Sequence, residues 1–180
     1  MANVIAQTYA LSLFEVAEEA KKEELLLSQL EDLCELMQEN PQFLQLLSSP
    51  MVSKAERASL IDEAFAGQVD LYLLNFLKIL AEGGRIRNLP EIEKEYRELY
   101  YLRENIEEAV ATTAVPMSQE QKDKLTAKLE KSTGKKILLK NQIDKSLIGG
   151  VVLKIGNRQM DDSVKSRLEG IRRQIMGNLA

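Results

Sequence analysis

The chain contains no histidine, a single cysteine and no apolar run near the roughly 20 residues that cross a bilayer. Without histidine there is no ordinary general base at neutral pH, no usual zinc ligand and no histidine-containing triad. A catalyst built from this chain would have to use carboxylates, lysine or tyrosine alone. The lone Cys34 excludes an intramolecular disulfide and fits a reducing compartment. No GxxxxGK[ST] or GxGxxG stretch occurs, so no nucleotide cradle and no cofactor are expected. The N-terminus, Met-Ala-Asn-Val-Ile-Ala-Gln-Thr-Tyr-Ala, has neither a basic n-region nor a cleavable apolar core, so no export is expected.

What remains is ordinary for a soluble protein of one or two small domains: 180 residues, 44% hydrophobic and 29% charged. The distribution is less ordinary. Residues 1–105 carry a net charge of −9 and residues 106–180 a net charge of +5, and all nine Phe and Tyr lie at or before Tyr101. A shift this abrupt marks a domain boundary near Asn105.

The first half reads as helical. Residues 3–20 place Ile5, Tyr9, Leu13, Val16, Ala17 and Ala20 on one face, Ala6 and Ala10 extend it, and Phe14 lies beyond it. This arc covers roughly half the circumference, wider than one packing seam requires. A second helix spans about Glu23 to Glu39 with Leu26, Leu30, Leu33 and Met37 inward. Asn40-Pro41 starts a short third helix and Ser49-Pro50 stops it. Ser53 and Glu56 form a capping box, and Gly67 ends that helix. Residues 69–82 form the most apolar helix, relieved only by Asn75, Lys78 and Glu82, with Asp70 apart; Gly83-Gly84 terminates it. Pro90 opens a sixth helix with Ile92, Tyr96, Leu99 and Tyr100 inward. The second half alternates in type. A strand over Glu107–Val115 precedes a helix capped by Ser118 and Gln121 and ended by Gly134. Strands at Ile137–Ile143 and Leu147–Ile155 follow, with a turn at Asp144-Lys145, and Ser163 caps a last helix to about Met176. The expected fold class is mainly α with a small α/β part: an N-terminal six-helix bundle followed by a small C-terminal α/β domain.

Individual features read mostly as architecture. Cys34, among Leu30, Leu33 and Met37, reads as a core thiol. Asp161-Asp162 reads as a turn and helix start rather than a metal site. Gly149-Gly150 stands at a strand start, which suits a bulge or close backbone packing. The basic second half, with Lys135, Lys136, Lys140, Lys145, Lys154, Arg158, Lys165, Arg172 and Arg173, raises an alternative function as an RNA- or ribosome-associated binding protein. That half has no aromatic residue on which bases stack, so no nucleic-acid partner is expected. An acidic protein surface explains the charge equally well. The excess apolar width of the first helix and of the 69–82 helix reads as a groove for an amphipathic helix from another chain.

The stretch Asp144-Lys145-Ser146-Leu147-Ile148-Gly149-Gly150-Val151-Val152-Leu153-Lys154-Ile155-Gly156, followed by Asp161-Asp162-Ser163-Val164, resembles the signature of the delta (OSCP-type) subunit family of the F-type ATP synthase. Tyr9-Ala10-Leu11-Ser12-Leu13, Ile61-Asp62-Glu63-Ala64-Phe65-Ala66-Gly67 and Ala81-Glu82-Gly83-Gly84-Arg85 are similar to further family features, although Ser12 replaces the usual Ala and Asp162 stands where Gly is common. The resemblance implies a non-catalytic stator subunit serving ATP synthesis and proton transport. Residues 1–105 would bind the N-terminal helices of the alpha subunits on the catalytic head, and residues 106–180 the peripheral-stalk b subunit. Membrane association would come only through the complex, at the cytoplasmic face of a bacterial membrane or the equivalent organellar inner face. In this family, helices one and five form much of the head-binding site. Carried over as regions, these helices are residues 3–20 and 69–82; the apolar pattern within them suggests a groove of Ala6, Tyr9, Ala10, Leu13 and Phe14 against Leu73, Leu74 and Leu77, with Ala6 and Ala10 allowing close approach.

Overall fold

The structure is a computed structural model in which residues 2–156, 158–162, 164, 166 and 168 are described. It is mainly helical with a small four-stranded sheet near the C-terminus. The chain separates into two compact units, Met1–Tyr101 and Leu102–Ala180. The division falls in the last turn of a helix, a little before the composition shift near Asn105.

Six α-helices precede the first strand: α1 (Ala2–Ala20), α2 (Glu23–Glu39), α3 (Pro41–Ser48), α4 (Lys54–Phe65), α5 (Leu71–Glu82) and α6 (Leu89–Arg103). Local chemistry sets their ends. Pro41 stands at the first position of α3, where its missing N–H costs nothing. The Ser53 hydroxyl accepts from the Glu56 N–H while the Glu56 carboxylate accepts from the Ser53 N–H, a complete capping box. Those bonds hold the Glu56 carboxyl below its ordinary pKa. Asp70 caps α5 by accepting from the Tyr72 N–H, so that helix begins two residues later than the apolar pattern suggested. A 3-10 turn over Ile86–Asn88, which the sequence did not signal, precedes α6.

One core fills the first unit. From α1 it takes Ala6, Ala10, Leu13, Phe14 and Ala17; from α2, Leu26, Leu27, Leu30, Leu33, Cys34 and Met37; from α5, Leu73, Leu74, Phe76, Leu77, Leu80 and Ala81. Phe14 meets Tyr96 of α6 edge-on at 5.3 Å, and the buried Tyr96 hydroxyl donates to the Glu23 carbonyl at 3.1 Å. Burial raises the Tyr96 pKa. It also pushes the Cys34 thiol up to about 12, so Cys34 stays protonated at neutral pH and behaves as a small hydrophobe. Buried Arg57 ties two segments together by donating to the carbonyls of Ala81 and Ser49, each at 2.8 Å.

The second unit contains β1 (Ile106–Thr113), α7 (Gln119–Thr133), β2 (Lys136–Ile143), β3 (Val151–Ile155) and β4 (Arg158–Asp161). The sheet order is β2-β1-β3-β4, with β1 and β2 parallel and the other pairs antiparallel. Helix α7 is the crossover that a parallel pair requires. Ser118 and Gln121 complete its capping box, and Gly134 ends it in the left-handed conformation. β3 starts at Val151, not Leu147. The preceding Gly150 has φ +85°, and a Cβ on Gly149 would stand 3.4 Å from a Val164 methyl, so close packing is the reason for the glycines. Strand β4 was not anticipated, because Arg158, Gln159, Met160 and Asp161 are all exposed and show no alternation. Of the helix expected from Ser163 to about Met176, Val164, Ser166 and Leu168 are described and helical, and the rest lies outside the described residues.

Lys21 adopts φ +56° at the end of α1, a left-handed position that strains any residue with a Cβ. Lys21→Gly is expected to stabilise the protein by about 1 kcal/mol, read as a higher denaturation midpoint with unchanged m.

Candidate partner-binding groove

Helices α1 and α5 pack antiparallel. Tyr9, early in α1, meets Phe76 edge-on at 6.2 Å and lies beside Arg85, just past α5. Lys22, just past α1, pairs with Asp70, the cap at the start of α5. Between the two helices runs an open groove of about 340 Å³. Thr8, Tyr9, Ser12, Leu13 and Val16 line it from α1, and Tyr72, Asn75, Phe76 and Ile79 from α5. Its walls are apolar and accessible: Val16 is 38% exposed, Tyr72 43% and Ile79 56%.

The eight residues singled out from the sequence divide unequally. Tyr9 and Leu13 line the groove. Ala6, Ala10, Phe14, Leu73, Leu74 and Leu77 do not; all six are buried in the core of their own unit. The correction is a rotation about both helix axes. At 3.6 residues per turn, the buried face of α1 centres roughly 145° from the face carrying Thr8, Ser12 and Val16. The broad apolar arc is therefore real, but it serves two surfaces. Phe14, placed beyond the arc by periodicity, sits in the core, and Val16, placed inward, is on the groove side. On α5 the missed stripe is Tyr72, Asn75, Phe76 and Ile79, an i, i+3, i+4, i+7 pattern legible in the sequence. The three leucines on the neighbouring face drew attention away from it.

The polar lining groups on α1 are already satisfied. The Thr8 hydroxyl donates to the Val4 carbonyl at 2.8 Å and the Ser12 hydroxyl to the Thr8 carbonyl at 2.9 Å. The floor thus presents small side chains without an unpaired donor to an incoming apolar surface.

Each end of the groove carries a cation set by a helix terminus. At the end of α5, Gly84 (φ +66°) donates its N–H to Ala81 and Arg85 donates its N–H to Leu80, a Schellman turn. The turn swings the Arg85 guanidinium over the Tyr9 ring at 5.4 Å, where it donates to the Tyr9 hydroxyl at 2.5 Å. At the end of α1, Lys21 and Lys22 make the same turn with Glu18 and Ala17. It places the Lys22 ammonium 2.6 Å from Asp70 and 5.4 Å from the Tyr72 ring centre. The Lys22 hydrogen bond is the main reason the Asp70 carboxyl lies below its usual pKa, and the Asp70 bond the main reason the Lys22 pKa is raised. Among the described residues no group of three or more Cys, Asp or Glu side chains is arranged to hold a metal.

Ala10→Trp would insert an indole where no space exists, and is expected to destabilise by about 3 kcal/mol or more in urea unfolding. Ser12→Trp, on the groove floor, is expected to leave the unfolding midpoint nearly unchanged. The Lys22–Asp70 pair stabilises at neutral pH. Its contribution is lost on acidification as pH falls through the lowered Asp70 value, and on the alkaline side as pH rises through the raised Lys22 value. The stability gap between wild type and Asp70→Asn should therefore close toward both extremes, as measured by denaturant titrations across pH.

Residues 5–175 match the family model described as ATP synthase delta (OSCP) subunit. The chain is 37% identical over 176 residues to the ATP synthase subunit delta of Clostridioides difficile (strain 630), covering 97% of both chains. It is 38% identical to that of Clostridium perfringens (strain 13 / Type A), covering 98% of both. A chain in the cryo-EM structure of the Toxoplasma gondii mitochondrial ATP synthase hexamer shares the fold with a TM-score of 0.66 at 23% identity, over 95% of this chain and 97% of that one. With near full-length coverage in both directions, the chain belongs to the ATP synthase delta (OSCP) subunit family, the non-catalytic stator subunits of the F-type ATP synthase.

Proposed function

We propose that the α1/α5 groove seats an amphipathic N-terminal helix of an alpha subunit on the catalytic head, while the unit beginning at Leu102 engages the b subunit of the peripheral stalk. The observation that carries this reading is the open apolar groove itself, with Tyr9, Leu13, Val16, Tyr72, Phe76 and Ile79 on its walls. A helix laid into such a trough buries its own apolar stripe, and each large side chain fully buried contributes about 1.5–3 kcal/mol before association costs.

The role follows from mechanics. A turning central shaft drags the catalytic head with it unless the head is held. A clamp between head and stalk keeps the torque available for ATP synthesis without touching nucleotide. The clamp has to outlast many turnovers, and a nanomolar contact corresponds to about 12 kcal/mol. A preformed groove supplies more of that than a flat helix pair, because little has to be ordered on binding.

The second unit suits a different partner. It has no aromatic residue, and its basic balance favours an acidic protein surface. Some of its lysines are engaged within the unit: Lys135 pairs with Glu107 at 3.2 Å, and Lys140 pairs with Glu108. No helix among the described residues is long and apolar enough to cross a membrane. Attachment to the membrane would then run through the stalk, at the cytoplasmic face in a bacterium.

Ser12→Trp fills the groove without entering the core, and is expected to weaken binding to purified catalytic head by roughly 100-fold or more. Unchanged co-sedimentation of a folded Ser12→Trp protein with the head would sink the groove assignment. A chain ending at Asn105 is expected to keep head binding and lose binding to b in pull-down. Loss of both by a folded fragment would contradict the division of labour.

A further inference from the structure

Among the segments that mark the family resemblance, Ala81-Glu82-Gly83-Gly84-Arg85 lies at the end of a groove wall without lining it. Its backbone has a definite task. Gly84 is held at φ +66°, and a Cβ on Gly83 would come 3.2 Å from the Ile79 carbonyl, so both glycines serve a tight reversal. The product of that reversal is the position of Arg85. Its side chain leaves the end of α5, crosses to α1, and rests on Tyr9 at the mouth of the groove.

The two ends of the groove differ in charge. Lys22 is neutralised by Asp70. Arg85 is exposed, and its one side-chain partner among the described residues is the neutral Tyr9 hydroxyl. At the Lys22 end, Glu19 follows Val16 by three residues and Ser12 by seven, so it borders the groove; it is exposed and has no ion pair among the described residues. The groove is thus apolar along its length, with an uncompensated cation at one mouth and an uncompensated carboxylate at the other. Arginine suits this position, since its planar fork can stay on the Tyr9 ring while its remaining N–H groups accept a carboxylate.

We propose that Arg85 is a specificity-determining residue for the helix that occupies the groove. It pairs with a carboxylate on that helix and so fixes which end of the helix lies beside Tyr9. The inference rests on the reading of the groove as the seat of an alpha-subunit N-terminal helix, and adds the charge that this helix must carry. Two apolar surfaces alone would tolerate sliding and reversal of the helix. One ion pair at one mouth selects a single register, because a misplaced helix would set an apolar or cationic group against the guanidinium.

The test uses the full-length protein and a synthetic peptide of the alpha-subunit N-terminal segment, with a second peptide in which each Asp and Glu is replaced by its amide. Affinities are measured calorimetrically for wild type, Arg85→Gln, Arg85→Lys and Ser12→Trp at low and high salt. Arg85→Gln is expected to bind the acidic peptide roughly tenfold more weakly at low salt, with the gap shrinking at high salt, and Arg85→Lys to recover part of the loss. The amide peptide is expected to bind wild type and Arg85→Gln equally, since the interaction is then already gone. Equal binding of the acidic peptide by wild type and Arg85→Gln at low salt would overturn the proposal. So would a loss that persists undiminished with the amide peptide, since Arg85 would then act only by bracing Tyr9. If Ser12→Trp binds as wild type does, the groove reading itself fails and the inference falls with it.

Discussion

The packing of α1 against α5 is the constraint on which the first unit depends. Helix α1 buries a face of small residues, Ala6, Ala10 and Ala17, with Leu13 and Phe14 beside them. Alanines let the backbones approach closely enough for the core to close, yet they use only part of the helix's apolar circumference. The remainder faces outward with the Tyr72–Ile79 stripe of α5 beside it. A bulkier inner face would push the helices apart and open the core. A narrower apolar arc would close the core and leave no groove. The same two helices therefore set both the stability of the unit and its open groove.

That double use explains what the sequence could and could not convey. Ends governed by single residues were legible: Ser53 with Glu56, Ser118 with Gln121, Pro41 and Gly134 all act where their local chemistry places them. The mainly helical character and the small C-terminal sheet were legible too. The rotation of α1 was not. An apolar arc half a turn wide has no unique inward direction, and periodicity returns its middle, which lies near Tyr9 and Leu13. Those are the two residues shared by the core side and the groove side. The other six site candidates are buried in the core of the unit. In the second unit, strand order escaped for a related reason. β2 and β3 follow each other in the chain, but β1 lies between them. Its Ala109 and Ala111 are fully buried and suit the crowded centre, which a reading of consecutive segments does not weigh.

The groove is held open by its ends rather than by its floor. Both helices finish in the same kind of reversal, and both reversals deliver a cation onto an aromatic ring of the facing helix. Arg57 adds a third brace, since its bond to the Ala81 carbonyl fixes the last turn of α5 from the buried side. The two cation contacts at the groove ends are individually modest, because pairs near the surface contribute little. Their value is geometric. They fix the spacing of two walls that would otherwise relax toward each other to bury Val16, Tyr72 and Ile79.

A clamp loaded at each turn of a rotor needs that spacing fixed in advance. If the walls had to separate before a partner entered, the cost of exposing Val16, Tyr72 and Ile79 would be subtracted from the binding free energy at each encounter. Here the exposure is already present in the free protein, and the stability of the buried core compensates for it. The left-handed Lys21 fits the same logic. A glycine there would relieve strain in the free chain. A lysine keeps the turn less forgiving, so Lys22 has fewer ways to leave Asp70, and that end of the groove keeps its spacing.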